Sequence, residues 1–300
     1  MALKNAAIAK HSDFIALLAG GRKGLHSLPI ENLHKTEVLL FKLFEEELNS
    51  KSPVLLKYSP SAVHKAAKFI TGTLDRTASI GIAGETASGK STAACDIIDT
   101  LNEFAQKRGI NNFVTRVNTD DYYYDRSEEV KKAGGMAKFA KTYDFDTPEA
   151  LELSLMKKHI QELTAGRSVK LPKYDMSGTA VRKDEAYTAY PSRIIISEGL
   201  FTLTEKIREA FDFKIYVEID EQLQKERFFR RAGERGLGSA AHSMYKNASE
   251  KAEIYIRKYR DTADIVLSGQ AERKNYKLFV NKILFTVTNK MQSAFLKKYF

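Results

Sequence analysis

The stretch Gly84-Glu85-Thr86-Ala87-Ser88-Gly89-Lys90-Ser91 decides how this 300-residue chain is interpreted. It fits G-x-x-x-x-G-K-[ST], the phosphate-loop pattern of nucleotide-binding enzymes. An apolar run at Ala78–Ala83 predicts a buried strand before it, and residues 92–101 have apolar positions at helical spacing after it. The motif requires this strand–loop–helix context, so we predict a nucleoside triphosphate site. The alternative is a glycine-rich turn followed by Lys-Ser by chance.

The residue types of the loop explain the expected binding. Gly84 and Gly89 reach backbone angles that other residues avoid, so consecutive N–H groups turn inward toward phosphate oxygens. The helix that follows adds the positive end of its dipole. We expect Lys90 to reach the β- and γ-phosphates and the Ser91 hydroxyl to bind Mg²⁺. The predicted nucleotide-binding residues are Gly84, Glu85, Thr86, Ala87, Ser88, Gly89, Lys90, Ser91 and Thr92.

The composition limits the class of protein. With 43% hydrophobic and 29% charged residues the chain is typical of a soluble globular protein, and its length favours one large α/β domain with an appendage. The net charge of +10 suits nucleotides. Nucleic acid is the rival partner, but the basic residues are dispersed and we do not expect it.

Location is predicted from what the sequence contains. A single cysteine, Cys95, excludes an intramolecular disulfide and fits a cytoplasmic protein. No apolar run reaches transmembrane length, so we expect no membrane association. An apolar patch at Phe14–Ala19 is interrupted upstream by polar residues and lacks a convincing cleavage site, which argues against a signal or transit peptide.

Residues 1–77 carry no chemical motif. Apolar positions within Val38–Leu48 form one helical face, with the acidic run Glu45-Glu46-Glu47 mostly opposite. A second helix is predicted over Ala62–Leu74, with Pro60 near its start. We therefore predict two regions: a helical N-terminal extension at 1–77, packed on the core or on a partner subunit, and a P-loop domain at 78–300.

Several further elements complete the predicted fold. The continuous isoleucine run in Arg193–Glu198 indicates burial on both faces, as in a central parallel strand. The fold class is therefore α/β, a P-loop NTPase-type parallel sheet flanked by helices. The other predicted elements are strands at Phe113–Asn118, Asp212–Ile219 and Ala263–Leu267, a hairpin of Val169–Asp175 with Glu185–Tyr190, and a C-terminal helix from Tyr276.

Carboxylates follow two of these strands. Ligands of open parallel sheets bind outside the carboxyl ends of the strands, where Asp120 and Glu198 would lie. Asp120 is placed to accept a proton from an attacking hydroxyl, although a helix cap or solvated loop is as consistent with its spacing. For Glu198, the alternative is an acidic residue on the surface at the end of a strand.

Thr147 with Pro148 predicts the start of a helix running to about Thr164, with Asp146 just ahead of it.

A basic helix follows the strand at Asp212–Ile219. It carries Arg227, Arg230, Arg231 and Arg235 before Gly236. Guanidinium groups suit phosphate oxygens and a transferring phosphoryl group. From spacing alone, a solvated basic face is equally consistent.

Six stretches in order resemble the uridine kinase and phosphoribulokinase superfamily, and uridine–cytidine kinases most closely. The resemblance covers roughly residues 78–288 and leaves the first 77 unmatched. The stretches are Gly84–Ser91, Thr119–Tyr123, Tyr143–Ala150, Pro172–Asp175, Ile196–Gly199 and the arginine segment ending Glu234-Arg235-Gly236.

The resemblance implies roles for individual residues. Asp120 resembles the catalytic base, aided by Lys90, Arg230 and Arg235, with ATP as donor. Ser91 and Glu198 resemble the Mg²⁺ ligands. A mobile arginine lid is implied near residues 227–240, closing over the phosphates and excluding water. The residues implied in substrate binding are Asp146, which holds sugar hydroxyls, with Phe145, Tyr123, Tyr174 and Arg227.

The sequence also departs from the family. Uridine–cytidine kinases read the pyrimidine with a histidine, where this chain has Met176–Ala180, and with a glutamine, where it has Ala241–Tyr245. His242 is the one candidate substitute. The phosphoryl-transfer residues thus match better than the base-reading ones.

The preferred interpretation is an ATP-dependent kinase that phosphorylates a hydroxyl of a nucleoside, uridine first, and we expect a homo-oligomer. The alternatives are a kinase for another ribose-like sugar or sugar phosphate, and a pantothenate kinase-like enzyme. Two further alternatives are not small-molecule kinases: a non-catalytic nucleotide-binding regulatory module and a nucleic-acid-associated nucleotidase.

Overall fold

A computed structural model describes residues 30–50, 53–72, 77–107 and 109–284. The elements in chain order are α1 (Ile30–Leu48), β1 (Leu55–Tyr58), α2 (Ala62–Gly72), β2 (Ala78–Gly84), α3 (Lys90–Gln106), β3 (Val114–Asn118), α4 (Ser127–Ala133), α5 (Met136–Phe139), α6 (Leu153–Thr164), β4 (Val169–Tyr174), β5 (Arg182–Ala189), β6 (Ile194–Glu198), β7 (Phe213–Glu218), α7 (Glu221–Glu234), α8 (Ala240–Tyr255), β8 (Ile265–Ser268) and α9 (273–284). The predicted helix from Tyr276 is α9, and residues beyond 284 lie outside the described part.

Six strands form one sheet in the order β1-β8-β7-β2-β6-β3. The pairs β2–β6, β2–β7, β3–β6 and β7–β8 are parallel, and only β1 runs antiparallel, against β8. The register sets Glu198 opposite both Ile82 and Asn118. The carboxyl ends of β2, β3 and β6 thus meet at one edge, and the predicted α/β P-loop fold is confirmed.

Alternating side chains of the sheet pack into two apolar layers. Ile194 and Ile196 face a layer built with α1, α2 and α3, whereas Ile195 faces a layer built with α6. All five residues of β6 are buried. Helices therefore cover both faces of a central strand, as the isoleucine run predicts.

The region before residue 77 contributes a strand that the sequence analysis does not predict. β1 pairs with β8, and Lys65 of α2 forms a 2.6 Å ion pair with Asp264, which is buried at 1% exposure. Phe44 of α1 is buried in the same apolar layer as the central strands. Residues 30–72 are therefore part of the sheet and its core. The division at residue 77 stays a prediction, and residues 1–29, with the patch at Phe14–Ala19, lie outside the described residues.

The predicted helix start at Thr147 is wrong. Pro148–Ala150 form one 3₁₀ turn, Leu151 is extended, and α6 begins at Leu153. The cause is a long-range contact, since Leu151 forms an isolated antiparallel bridge with Tyr123 and the Glu152 N–H donates to the Tyr122 carbonyl at 2.8 Å. The predicted hairpin is confirmed as β4–β5, although β5 begins earlier, at Arg182.

Candidate active site

The phosphate loop joins β2 to α3 at the centre of the carboxyl edge. Gly89 has φ 92°, a left-handed conformation that favours glycine, and it begins α3 without a side-chain cap. Gly84 serves a different purpose from the predicted one. Its φ is not in the left-handed region, but a Cβ there would lie 2.6 Å from the Val217 carbonyl oxygen and 2.7 Å from Ser88 Oγ. Gly84 is required for space and Gly89 for backbone conformation.

Polar groups in the loop fit an anionic ligand. Ser88 Oγ is buried without a hydrogen-bond partner among the described residues. Lys90 is partly buried, and burial lowers the pKa of its ammonium, with Glu198 and Asp120 acting in the opposite direction. The uncapped start of α3 leaves first-turn amides for a phosphate. These features match the β- and γ-phosphates of a nucleoside triphosphate.

Ser91 and Glu198, the two predicted metal ligands, are adjacent. Ser91 Oγ donates to Glu198 Oε2 at 3.1 Å, and Glu198 is buried at 5% exposure. The other carboxylate oxygen, Oε1, accepts from Arg116 Nη2 at 2.6 Å. No cluster of three or more His, Cys, Asp or Glu suited to a metal occurs within the described ranges. The pair fits Mg²⁺, which proteins hold with one or two oxygen ligands while substrate phosphates supply others.

The neighbouring aspartates after β3 have different surroundings. Asp121 is buried, pairs with Lys173 at 3.0 Å and accepts from the Tyr174 N–H at 3.4 Å, so it fastens β4 to this loop. Asp120 faces the phosphate loop instead. Burial raises the pKa of Asp120, Lys90 acts against that rise, and Glu198 adds to it. Of the two carboxylates, Asp120 is the one beside the donor site.

A second carboxylate site lies beside Asp120. Asp146 Oδ2 accepts from Asn247 Nδ2 at 3.2 Å, and the same amide lies 3.4 Å from Asp144 Oδ1. Asp144 pairs with Lys251 at 2.7 Å. Burial raises the pKa of Asp146, the Asn247 amide acts against this, and Asp144 adds to the rise. The sequence analysis selects Asp146 but neither Asn247 nor Lys251.

Aromatic side chains form the wall of this site. Tyr123 contacts Tyr174 with ring centroids 5.2 Å apart and Phe145 at 6.0 Å, and its hydroxyl donates to the Phe145 carbonyl at 3.3 Å. Tyr143 meets Phe145 edge-on at 4.7 Å. Burial raises the pKa of Tyr123 well above its usual value, and Asp120 and Asp146 both add to it. Tyr123 therefore lies near both carboxylates, and the structure brings together Asp120, Asp146, Phe145, Tyr123 and Tyr174.

The arginines of α7 lie on the donor side. Arg227 Nη1 donates to the Gly269 carbonyl at 2.8 Å, beside Gly89 of the phosphate loop, and its predicted role in substrate binding stays a prediction. Arg227 and Arg230 line a cleft of about 380 Å³ that also includes Thr92 and Gln270. This cleft opens next to the phosphate loop and offers room for the rest of a nucleotide.

Arg231, on the same helix, also lines this cleft. Its positive charge helps to lower the pKa of Lys90, and burial followed by the Arg235 charge lowers its own pKa. Arg235 is exposed at the end of α7. Mutual repulsion among these guanidinium groups favours an anion between them.

Glu85, inside the phosphate loop, has partners that the sequence does not reveal. Arg257 donates to both of its oxygens, from Nε at 2.9 Å and Nη2 at 3.1 Å. Gln224 of α7 donates to Glu85 Oε2 at 3.2 Å and to the Thr86 carbonyl at 3.0 Å. The loop is thus held from outside by two segments that follow it far along the chain.

His242, the candidate base-reading residue, packs its ring 4.7 Å from Phe229 on α7 and is exposed.

Known proteins share sequence with this chain. The Phosphoribulokinase / Uridine kinase family model matches residues 79–274. The chain is similar to a uridine kinase of Halobacterium salinarum, with 30% identity over 208 residues that cover 68% of this chain and 85% of the relative. It is 30% identical over 208 residues to a uridine kinase of Lactobacillus helveticus, covering 67% and 90% of the two chains. A solved phosphoribulokinase from Rhodobacter spheroides covers 64% of this chain and 70% of its own, at 16% identity and TM-score 0.47.

Proposed function

The chain belongs to the phosphoribulokinase / uridine kinase family and is an ATP-dependent phosphotransferase acting on a hydroxyl, and we propose that its acceptor is a nucleoside, with uridine as the first candidate. One observation carries the proposal. Asp120 lies close enough to Lys90 and Glu198 at the phosphate loop for their charges to act on it, and Tyr123 lies close enough to both Asp120 and Asp146 to feel both carboxylates. A hydroxyl held by Asp146 and Tyr123 would therefore face both a base and the γ-phosphate.

The proposed reaction is an in-line transfer of the γ-phosphoryl group. Asp120 accepts the proton of the acceptor hydroxyl, and its raised pKa makes it a stronger base than an exposed aspartate. Lys90, Arg230 and Arg235 would stabilise the charge that develops on the transferring group, and Arg230 and Arg231 line the donor cleft. Bound Mg²⁺ would be held by Ser91 and Glu198 and would neutralise phosphate charge.

The proposal also assigns different roles to the two predicted regions of the chain. We assign catalysis to residues 78–300, with an arginine lid near 227–240, and treat 1–77 as an extension that supplies β1 to the sheet. None of the helices in the described ranges is long and apolar enough to cross a membrane. A cytoplasmic location and assembly as a homo-oligomer stay predictions.

A different acceptor is the second candidate. The segment that would hold a base-reading histidine ends at Ala180, which is buried at 0% exposure with φ 53°. This position and His242 supply no imidazole to the site, so the contact that would read a pyrimidine is not provided by a histidine at either place. The alternative acceptors are therefore another ribose-like sugar, a sugar phosphate or pantothenate.

An ADP-release screen tests the function. Purified protein with ATP and Mg²⁺ is given uridine, cytidine, other nucleosides, ribose-like sugars, sugar phosphates and pantothenate in turn. We expect uridine to raise ADP release far above background hydrolysis, and Asp146→Asn to lose that response while it retains ATP binding. If no acceptor raises ADP release, the kinase function is refuted. If only a non-nucleoside does, the nucleoside assignment is wrong.

A further inference from the structure

α8 contacts the acceptor carboxylates from one side. Asn247 and Lys251 are four residues apart, so they lie on the same helical face. The Asn247 amide reaches Asp146 and Asp144, and Lys251 pairs with Asp144 at 2.7 Å. Lys251 is only partly exposed, with its side chain at 26%. Two partners from one helix thus support a pair of neighbouring carboxylates.

The contacts from α8 offset the repulsion between the two neighbouring carboxylates. Asp144 and Asp146 are close, since the Asp146 N–H donates to Asp144 Oδ1 at 2.9 Å, and like charges at this separation disfavour each other's ionised form. Lys251 compensates the charge of Asp144. Asn247 donates to Oδ2 of Asp146, the only oxygen of that carboxylate with a described side-chain partner. Asn247 and Lys251 therefore act against the rise in the pKa of Asp146, and Asn247 orients the carboxylate with Oδ1 available for an acceptor hydroxyl.

The end of the same helix reaches the donor site. Arg257, in the 3₁₀ turn directly after α8, binds both oxygens of Glu85, and Glu253 in the last turn of α8 pairs with Arg257 at 2.9 Å. The Glu85 side chain is 15% exposed. A two-pronged pair of this kind fixes direction as well as distance. α8 is thus joined to the acceptor carboxylates along its length and to the phosphate loop at its end.

We propose that α8 is the element that aligns acceptor with donor: Asn247 and Lys251 are positioning residues that hold Asp146 for the acceptor hydroxyls, and Arg257 fixes this helix to the phosphate loop through Glu85. The proposal rests on the proposed function, in which Asp146 binds the acceptor. None of the three residues touches the transferring phosphoryl group. Their loss should therefore change substrate binding more than the chemical step.

Steady-state kinetics with uridine and ATP test the positioning role. Asn247→Ala should raise KM for uridine about tenfold, because one hydrogen bond to a charged group is lost, while kcat and KM for ATP stay within twofold. Lys251→Met should raise the same KM several-fold, and Asp144→Asn in the Lys251→Met background should restore it, since the uncompensated charge is removed. A purely structural defect would not be rescued by a second substitution.

Two further variants distinguish the loss of specific contacts of α8 from a general loss of folding. Arg257→Leu should raise KM for both ATP and uridine several-fold, because it releases the helix from the loop. The matched control is Lys246→Met on the same helix, an exposed lysine whose described ion pair is with Glu250 at 3.8 Å. The control should match the wild type. Unchanged uridine KM in Asn247→Ala and Lys251→Met, in a protein that phosphorylates uridine, overturns the proposal.

A measurement made without the acceptor distinguishes the positioning role of α8 from the proposed function. The carboxyl carbon of Asp146 is titrated by ¹³C NMR in the wild type and in Lys251→Met. The charged or titratable groups acting on Asp146 are Asp144, Lys251 and Tyr123. Loss of Lys251 should raise the pKa of Asp146, and an unchanged pKa refutes the positioning role. If the pKa rises but uridine is not phosphorylated, the acceptor assignment fails and the role of α8 stands.

Discussion

The phosphate loop and the proposed acceptor site lie side by side at one sheet edge but are encoded in different ways. The loop is one contiguous stretch between a strand and a helix, and its ligand-binding groups are neighbours in sequence. The acceptor site is assembled from Asp120 and Tyr123 after β3, from Asp146 in a long loop, from Tyr174 on β4 and from Asn247 on α8. The donor site is thus determined by local sequence, and the acceptor site by packing.

Substitutions in the two regions should act selectively. Donor binding depends on backbone conformation within a few residues, so single changes there should leave acceptor binding intact. The catalytic residues between the two sites should affect turnover itself. Substitutions therefore test whether the two regions are functionally separate.

The largest effect is expected at Asp120, where the two sites meet. Asp120→Asn removes the proposed base and should lower kcat by about 10²–10⁴-fold with ATP affinity preserved. Turnover measured by ADP release, with ATP binding measured by calorimetry, checks this.

Asp121→Asn is the matched control for Asp120. Because Asp121 binds Lys173 and the Tyr174 N–H, its loss should lower the melting temperature and loosen β4 rather than abolish the chemistry. If Asp120→Asn keeps near-normal turnover and Asp121→Asn loses it, the roles of the two residues are reversed.

The pH dependence of turnover should report the same base. Burial raises the pKa of Asp120, and a base acts only when it is deprotonated. Below that raised pKa, kcat/KM should fall about tenfold per pH unit, with a midpoint above the ordinary aspartate value of 3.8. Arg116 lowers the pKa of Asp120, so Arg116→Leu should move the midpoint to higher pH. A midpoint at or below the ordinary value contradicts Asp120 as the base.

The sequence predicts the sheet well because its strands are strongly patterned. β2 and β6 are mostly apolar, and the burial of their isoleucines follows from hydrophobicity. β1 has four residues with little alternation and is defined by its pairing with β8, so local pattern does not reveal it. The start of α6 is displaced by the bridge between Tyr123 and Leu151, a contact between separate segments.

The same distinction applies to the site. Residues within recognisable stretches, such as Lys90, Glu198 and Asp120, are predicted from sequence. Asn247 and Arg257 lie on or beside a helix of ordinary composition, where nothing in the spacing marks them. The contact of Arg227 with the Gly269 carbonyl joins two distant segments, so the sequence does not reveal it either.

A smaller and donor-specific effect is expected at Gly89. An alanine there would adopt φ near 92° and place its Cβ 3.0 Å from the Gly269 carbonyl oxygen. Strain of about 1–3 kcal/mol should displace the loop and raise KM for ATP about tenfold, with KM for the acceptor unchanged. Gly109→Ala, at φ 69° with no neighbour within 4 Å, carries similar strain away from the site and should leave both KM values unchanged. Equal increases in both KM values for Gly89→Ala would show that the two sites are not separable.

The smallest effect is expected at Arg116, which no motif predicts. Its guanidinium binds Glu198 at 2.6 Å on the oxygen opposite Ser91, and its side chain is 40% exposed, so it is free to move toward solvent. A guanidinium on the carboxylate that we propose as a metal ligand would compete with Mg²⁺ for the same negative charge.

Arg116→Leu should therefore lower the Mg²⁺ concentration for half-maximal activity about fivefold at fixed ATP, equivalent to the ~1 kcal/mol of a partly exposed ion pair. The rise in melting temperature on adding Mg²⁺ with ATP should saturate at correspondingly lower Mg²⁺. Arg116→Lys retains the positive charge and should stay close to the wild type. A higher Mg²⁺ requirement in Arg116→Leu would instead mean that Arg116 orients Glu198 for the metal, because removing a competitor cannot weaken metal binding.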